Sequence, residues 1–348
     1  MRDARDSSIR SLLRSGEIAD IGGRPRKLQP RGPSTAGLVT AFAAIYLVWG
    51  STYLAIRYAV ETIPPLLMMG VRHVSAGAVL YAWARWRGTR APRWREWVHP
   101  ALIGAVLFLG GHGSLAWAEQ RVPSGIAALL VATLPMWIVV LARMAGAERK
   151  LSRTAVAGLV LGFAGVGVLF GPDAWRHNGE LNLLGALAVL GGTFLWAAGT
   201  IYMRSVKMPE SAVISSAMQM LAGGVSLLIA ATLTRETATF HWAAVTARSW
   251  LALAYLMVFG SIVAFTAYNW LHTVAPPSRV STYAYVNPAV AVLLGWMLAG
   301  EPIGVVTVAA MIIILLGVAL VNAGQKKEEH APAGTNGNAQ CEEEEAVA

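Results

Sequence analysis

The stretch PSGIAALLVATLPMWIVVLAR (123–143) is long and apolar enough to cross a bilayer, yet it carries Pro135 at its middle. A second stretch, PSRVSTYAYVNPAVAVLLGWMLAGE (277–301), repeats the pattern around Pro288. Each proline removes a backbone N–H, so the carbonyl four residues earlier, that of Val131 or Ala284, is predicted to lose its helical partner. In lipid such a loss is tolerated only where the backbone faces protein or a wet cavity. Helix breakers at matched places in two halves of a chain point to a transporter binding site.

Working outward, apolar blocks of about 20 residues, the length that crosses about 30 Å of hydrocarbon, recur along the chain. Ten spans are predicted: 37–59, 66–86, 98–119, 123–143, 154–172, 182–203, 211–233, 249–271, 279–299 and 303–323. Hydrophobic residues make up 55% of the chain and charged residues 14%, a balance foreign to a soluble domain. The expected architecture is an all-α polytopic membrane protein of ten transmembrane helices, arranged as two inverted five-helix repeats over 35–173 and 180–324. The basic segment 1–34 and the acidic segment 325–348, ending CEEEEAVA, are expected to be disordered cytoplasmic tails. Cys341 is the only cysteine, which excludes an intrachain disulfide and a thiolate metal cluster.

A net charge of +9 invites a nucleic-acid reading, and the placement of the charges argues against it. With the N-terminus in the cytoplasm, the inner segments hold 22 of the 28 Lys and Arg, including Arg85, Arg87, Arg90, Arg93 and Arg95. The outer loops hold only Arg121, Arg176, Arg235 and Arg248. This asymmetry is the positive-inside pattern, with both termini cytoplasmic. The basic balance therefore reports topology and contact with anionic membrane lipid, not a nucleic-acid partner.

The halves align. WGSTYLAIR (49–57) lies over WAAGTIYMR (196–204), and at the same offset of 147 RHVSAGAVL (72–80) lies over QMLAGGVSL (219–227). AGAE (145–148) then matches AGE (299–301). Five spans per half is an odd number, so the second half enters from the opposite side, as in inverted-repeat transporters.

On three stretches, YLVWGSTYLAIRYAVETIPPLLMMGVRH (46–73), LAWAEQRVPSGIAALLVATLPMW (115–137) and STYAYVNPAVAVLLGWMLAGEP (281–302), the chain resembles the ten-span EamA-type members of the drug/metabolite transporter superfamily, especially the bacterial YedA-like permeases. The resemblance covers 37–324. It implies an inner (plasma) membrane protein that exports small metabolites, often amino acids or drug-like compounds. It also implies a central cavity between spans 1–4 and 6–9, with spans 5 and 10 packed behind. Small four-span relatives use an acidic residue in their first span for proton exchange, and spans 1 and 6 here have none.

Several residues can carry chemistry. Arg72 lies inside span 2, where a charge is costly and marks a functional hypothesis, either as an anion-binding group or as a cation snorkelling to helix-end carbonyls. Arg57, nearer the outer surface, is expected to snorkel. His112 and Glu119 are seven residues apart on one face of span 3 and form a candidate proton path; the alternative is structural pairing. Trp49 and its repeat mate Trp196 sit at mid-span, where an indole N–H needs a partner or a cavity. Ser51, Thr52, Tyr53, Tyr268, Asn269, Ser281, Tyr285 and Asn287 are polar groups that can dress a pocket or serve as interhelical glue. The candidate substrate-binding set is Trp49, Ser51, Tyr53, Arg72, Trp117, Pro135, Trp196, Tyr268, Tyr285, Asn287 and Pro288, with Pro135 and Pro288 expected side by side at the midplane. Gly158, Gly162, Gly165, Gly223 and Gly224 are expected to let helices approach closely.

GFAGVG (162–167) follows no strand and lacks a lysine, so it is no nucleotide loop, and no catalytic or metal-ligand motif occurs in the chain. The expectation is a secondary transporter without cofactor or metal, not an enzyme, working by alternating access on a small-molecule substrate. A channel or scaffold is the alternative, with a membrane-embedded enzyme behind it. Monomer and homodimer both stay open.

Overall fold

The computed structural model describes residues 17–19, 25–27, 34–146, 152–170, 182–275, 280 and 282–329. Two compact units divide the chain, Met1–Thr40 and Ala41–Ala348. Inside the first, Glu17–Ala19 pairs antiparallel with Pro25–Lys27, a short hairpin in a segment expected to lack structure. Strands of this length are marginal alone. The acidic tail beyond Glu329, with Cys341, lies outside the described residues.

All the rest of the described chain is helix and connecting turn. α1 runs over Thr35–Ala59, α2 over Pro65–Trp86 and α3 over Trp94–Glu119. α4 consists of Ser124–Val131 and Leu134–Met144, followed by α5 (Arg153–Leu169), α6 (Leu183–Ser205) and α7 (Ala212–Leu233). α8 is continuous through Ala247–Tyr255, Leu256–Val263 and Ala264–Val274; α9 is Tyr283–Ala299 and α10 is Val305–Glu329. Local chemistry sets the starts. Ser152, Asn182, Ser211 and Thr246 each accept the N–H three residues on, satisfying a donor the helix cannot. Pro65 opens α2 at a position where its missing N–H costs nothing. α9 ends at Gly300, whose φ of 65° turns the chain so that the N–H of Glu301 bonds Gly295 O at 3.0 Å.

Eight described helices are long and apolar enough to cross a membrane. The fifth and ninth predicted spans correspond to α5 and α9, which are apolar but only 17 residues each. At 1.5 Å per residue these reach about 25 Å, short of the hydrocarbon thickness. Large apolar side chains such as Leu184, Leu233, Leu251, Ile312 and Leu316 are exposed along the helices, as expected for surfaces that meet lipid.

The prolines behave differently from each other. Pro135 lies just after a break at Ala132 and Thr133, whereas Pro288 lies inside the unbroken helix α9. Three helices also contain π turns: Ala44–Val48 in α1, Ala105–Gly113 in α3 and Leu256–Val263 in α8. Such turns are frequent at functional sites and rotate every side chain beyond them.

Packing pairs α2 with α7 and α5 with α10. It also sets α1 against α8 and α9, and α6 against α3 and α4. The close approaches expected from the glycines are present. A Cβ on Gly158 would stand 2.6 Å from Gly317 O on α10, and one on Gly224 would stand 2.7 Å from Val74 N on α2.

Candidate functional site

Trp49 follows directly on the π turn of α1. Its indole N–H donates to Gly260 O at 3.1 Å, a carbonyl inside the π turn of α8. Around its ring stand Tyr268 at 5.0 Å and Tyr283 at 5.2 Å, the latter edge-on. Ser51 Oγ donates to Val48 O at 2.9 Å and shares a 2.6 Å hydrogen bond with Tyr255 Oη. Asn287 is buried on α9. With its amide nitrogen turned toward α1, the orientation hydrogen bonding demands, it donates to Ile45 O at 3.3 Å, Tyr46 O at 3.2 Å and Tyr283 O at 3.2 Å. Asn287 thus serves carbonyls of the π turn and pins α9 to α1.

Arg72 is only 4% exposed. Its Nε donates to Ser261 Oγ at 2.9 Å across to α8, and Nη1 approaches Met69 Sδ at 3.8 Å. A guanidinium has five N–H donors. Among the described residues Ser261 is the one oxygen acceptor it meets, and it forms no ion pair. A Cβ built on Gly260 would come within 3.2 Å of Arg72 Nη2 and 3.1 Å of Thr52 Cγ2, so glycine there lets the guanidinium lie along α8.

Trp196 does not join Trp49. It packs at 4.6 Å against His112 and edge-on at 5.9 Å against Phe108. His112 stacks on His73 of α2, with 2.9 Å between Nδ1 of His112 and Nε2 of His73. His73 is 1% exposed, and its Nδ1 has no partner among the described residues. An unpartnered buried N–H costs more than an unpartnered lone pair. His73 therefore donates through Nε2 and leaves a bare acceptor at Nδ1.

The arginine-poor end of the bundle is laced by polar contacts. Tyr58 Oη donates to Leu298 O at 2.7 Å, Ser249 Oγ donates to Tyr58 O at 2.7 Å, and Arg248 pairs with Glu61 at 2.5 Å. Glu301 caps the start of α4, accepting from Ser124 N at 2.8 Å, Ser124 Oγ at 3.1 Å and Gly125 N at 3.1 Å. An anion is favoured at a helix N-terminus. Glu119, at the end of α3, is fully buried, and neither carboxyl oxygen has a partner among the described residues. Arg57 is half-buried and donates to the backbone carbonyl of Glu119, at the C-terminal end of α3, at 2.6 Å. Trp117 holds the Arg121 guanidinium 3.8 Å from its ring centroid. An open cleft of about 390 Å³ lies here, walled by Trp117, Gln120, Pro64, Pro65, Thr239 and Glu236. Burial pushes the Glu236 carboxyl above the usual carboxylate range, opposed by bonds from the amides of Leu67 and Leu66.

The expected residues thus divide. Trp49, Tyr268, Arg72 and Asn287 gather around the α1–α8–α9 contact, with Ser51 beside them. Trp196 and His112 form a second cluster with His73. Tyr285 turns to α10, where its hydroxyl meets Val318 O at 3.3 Å and accepts from Asn322. The α4 segment with Pro135 packs on α6 and α10, while Ser124–Val131 packs on the helix holding Pro288. Pro135 and Pro288 therefore belong to different contacts. Tyr53 is within electrostatic reach of Glu119, which in turn stands about 10 Å along α3 from His112. Ser281 and the side chain of Asn269 lie outside the described residues. Several participants escaped sequence reading, among them His73, Ser261, Tyr255, Tyr283 and the capping role of Glu301. His73 was visible as a second ionisable residue beside Arg72. Tyr283 and Glu301 gave no signal beyond their residue types, because their partners lie on distant helices. No cluster suited to a metal ion occurs among the described residues.

The EamA-like transporter family profile matches twice, over residues 35–171 and 183–323. The chain is 40% identical over 291 residues to the uncharacterized inner membrane transporter YedA of Escherichia coli, covering 83% of this chain and 91% of that one. It is 27% identical over 298 residues to the uncharacterized transporter YvbV of Bacillus subtilis, covering 84% and 94%. A solved crystal structure matches in fold with a TM-score of 0.58 at 23% identity, covering 85% of this chain and 100% of that one.

Proposed function

The chain belongs to the EamA-like transporter family, and from that premise we propose that it is a ten-span secondary carrier. It exports small amino-acid-like or drug-like metabolites across the inner (plasma) membrane by alternating access. In this reading α5 and α9 are the fifth and ninth spans, both termini are cytoplasmic, and the halves have opposite topology. The observation that carries the reading is the reciprocal packing. α2 meets its repeat mate α7 and α5 meets α10, while α1 grips α8 and α9 as α6 grips α3 and α4. Such an exchange is what a two-fold axis in the membrane plane requires, and two matches of one family profile agree with it.

The substrate site lies between the Trp49 and Trp196 clusters. Arg72 spans from α2 to the Trp49 side, and its unfilled N–H donors suit an anionic group of the substrate. Ser51, Tyr53, Tyr268 and Asn287 supply further polar edges. Rocking of the two halves about this site opens one end while the other stays laced. The test is counterflow in proteoliposomes holding the purified chain, with a panel of labelled amino acids and cationic dyes. Saturable exchange of one compound supports a carrier. Flux that never saturates would make it a channel, and no flux with any compound would remove the reading.

A further inference from the structure

We propose that Glu119 is the proton-binding site of this carrier, loaded while the outer ends of the helices are closed and emptied when they part. The proposal rests on the carrier reading above, with the arginine-poor end facing outward. Glu119 has no exposed surface, and both carboxyl oxygens lack a hydrogen-bond partner among the described residues. An ionised carboxylate placed so would forfeit its hydration for nothing, whereas the neutral acid forfeits far less. Arg57 and Arg72 act on it as nearby cations but the bonds they make go elsewhere, Arg57 Nη1 to the backbone carbonyl of the same residue and Arg72 Nε to Ser261.

Four side chains act on Glu119: Arg57 and Tyr53 from α1, Arg72 from α2 and Glu301 from the turn after α9. α6 and α4 also pack here, and their ionisable residues, Tyr202, Arg204 and Arg143, all lie at the opposite end of those helices. The two carboxyl groups are dressed in opposite ways. Glu301 takes three donors at the N-terminus of α4, so the negative charge belongs there. Glu119 takes none, so the proton belongs there.

The latch and the proton are then linked. Glu301 on Ser124 and Gly125, Tyr58 on Leu298 and Ser249 on Tyr58 hold the outer ends together and keep water from Glu119. When those ends part, water reaches the carboxyl, the O–H bond breaks and the proton passes to outer water. Arg57 is placed to turn from the carbonyl to the new carboxylate. The carboxylate in turn repels Glu301 and opposes re-formation of the latch until it pairs with Arg57; the ends then close, and the proton is reloaded from the inner side.

Infrared difference spectroscopy on the full chain in lipid at neutral pH tests the loading without any substrate. Wild type minus Glu119→Gln should show the carbonyl stretch of a protonated carboxyl, and Glu119→Asp should shift that band. The aspartate variant keeps the assignment secure if the glutamine variant fails to accumulate. A spectrum with only carboxylate bands would overturn the proposal. In proteoliposomes, counterflow of the labelled panel first reports whether the chain is a carrier at all. An imposed pH gradient should then drive accumulation in wild type and Glu119→Asp, and that response should be lost in Glu119→Gln. A response retained in Glu119→Gln would overturn the coupling. Absent counterflow would instead count against the carrier reading, and the infrared band would still decide the proton.

Discussion

Arg72 and Ser261 give a paired test in which the milder-looking substitution should be the more damaging to the fold. The Arg72 guanidinium is buried, and its one oxygen acceptor among the described residues is Ser261 Oγ at 2.9 Å. Ser261→Ala keeps the buried cation and removes that acceptor, leaving only the weak Met69 sulfur contact. A hydrogen bond to a charged group contributes about 1.5–3 kcal/mol, so Ser261→Ala should lower stability by about that amount. Arg72→Gln, which copies the repeat mate Gln219, removes the same bond but also removes the charge. Taking one ion out of a low-dielectric site returns several kcal/mol of lost hydration. The freed Ser261 hydroxyl can turn back to a carbonyl of its own helix. Arg72→Gln should therefore stay within about 1 kcal/mol of the parent while transporting poorly, because the anion-binding fork is gone. Arg72→Lys keeps the charge without the planar fork and should retain part of the transport. The assay is thermal unfolding and folded yield in detergent beside counterflow in liposomes. If Arg72→Gln destabilised the protein more than Ser261→Ala, the arginine would be a packing element. If Arg72→Gln transported normally, its role in substrate handling would be lost.

Other substitutions test the neighbouring geometry. Asn287→Asp turns an acceptor toward the carbonyls of Ile45, Tyr46 and Tyr283; it should cost about 1–3 kcal/mol and more than Asn287→Ala, measured as melting temperature in detergent. Gly158→Ala drives a Cβ to 2.6 Å from Gly317 O and should cost about 1–3 kcal/mol, whereas Gly167→Ala, with nothing within 4 Å, should be neutral or stabilising. Equal melting temperatures for the two glycine variants would count against the α5–α10 contact. For Glu236 the folded-state pKa is raised, so folding takes up a proton. Its contribution is full below the unfolded value and fades as pH rises through the folded one. Glu236→Gln should flatten that slope in unfolding scans across the acidic range. Reporter fusions after Lys207 and Lys327 should both read as cytoplasmic and one near His241 as external; disagreement between the first two would break the five-plus-five arrangement.

Sequence alone determined the class of this protein, the bounds of the eight helices long and apolar enough to cross a membrane to within a few residues, its family and its uneven distribution of charge. These are one-dimensional properties, because bilayer thickness fixes helix length and lipid excludes unpaired backbone. It also found Arg72, His112 and Glu119, since a charge or imidazole in an apolar run stands out wherever it points. Tertiary structure alone decided the company each residue keeps. Trp49 and Trp196 align between the two halves of the sequence, yet one reaches Gly260 and the other His112, and Tyr285 faces Asn322 on α10. Sequence spacing assumes a uniform helix of 3.6 residues per turn, and the π turns in α1, α3 and α8 break that assumption just before Trp49, across His112 and around Gly260. Each wider turn rotates the residues beyond it to a new face. Which neighbour receives that face depends on helices far away in the chain, and no local pattern records it.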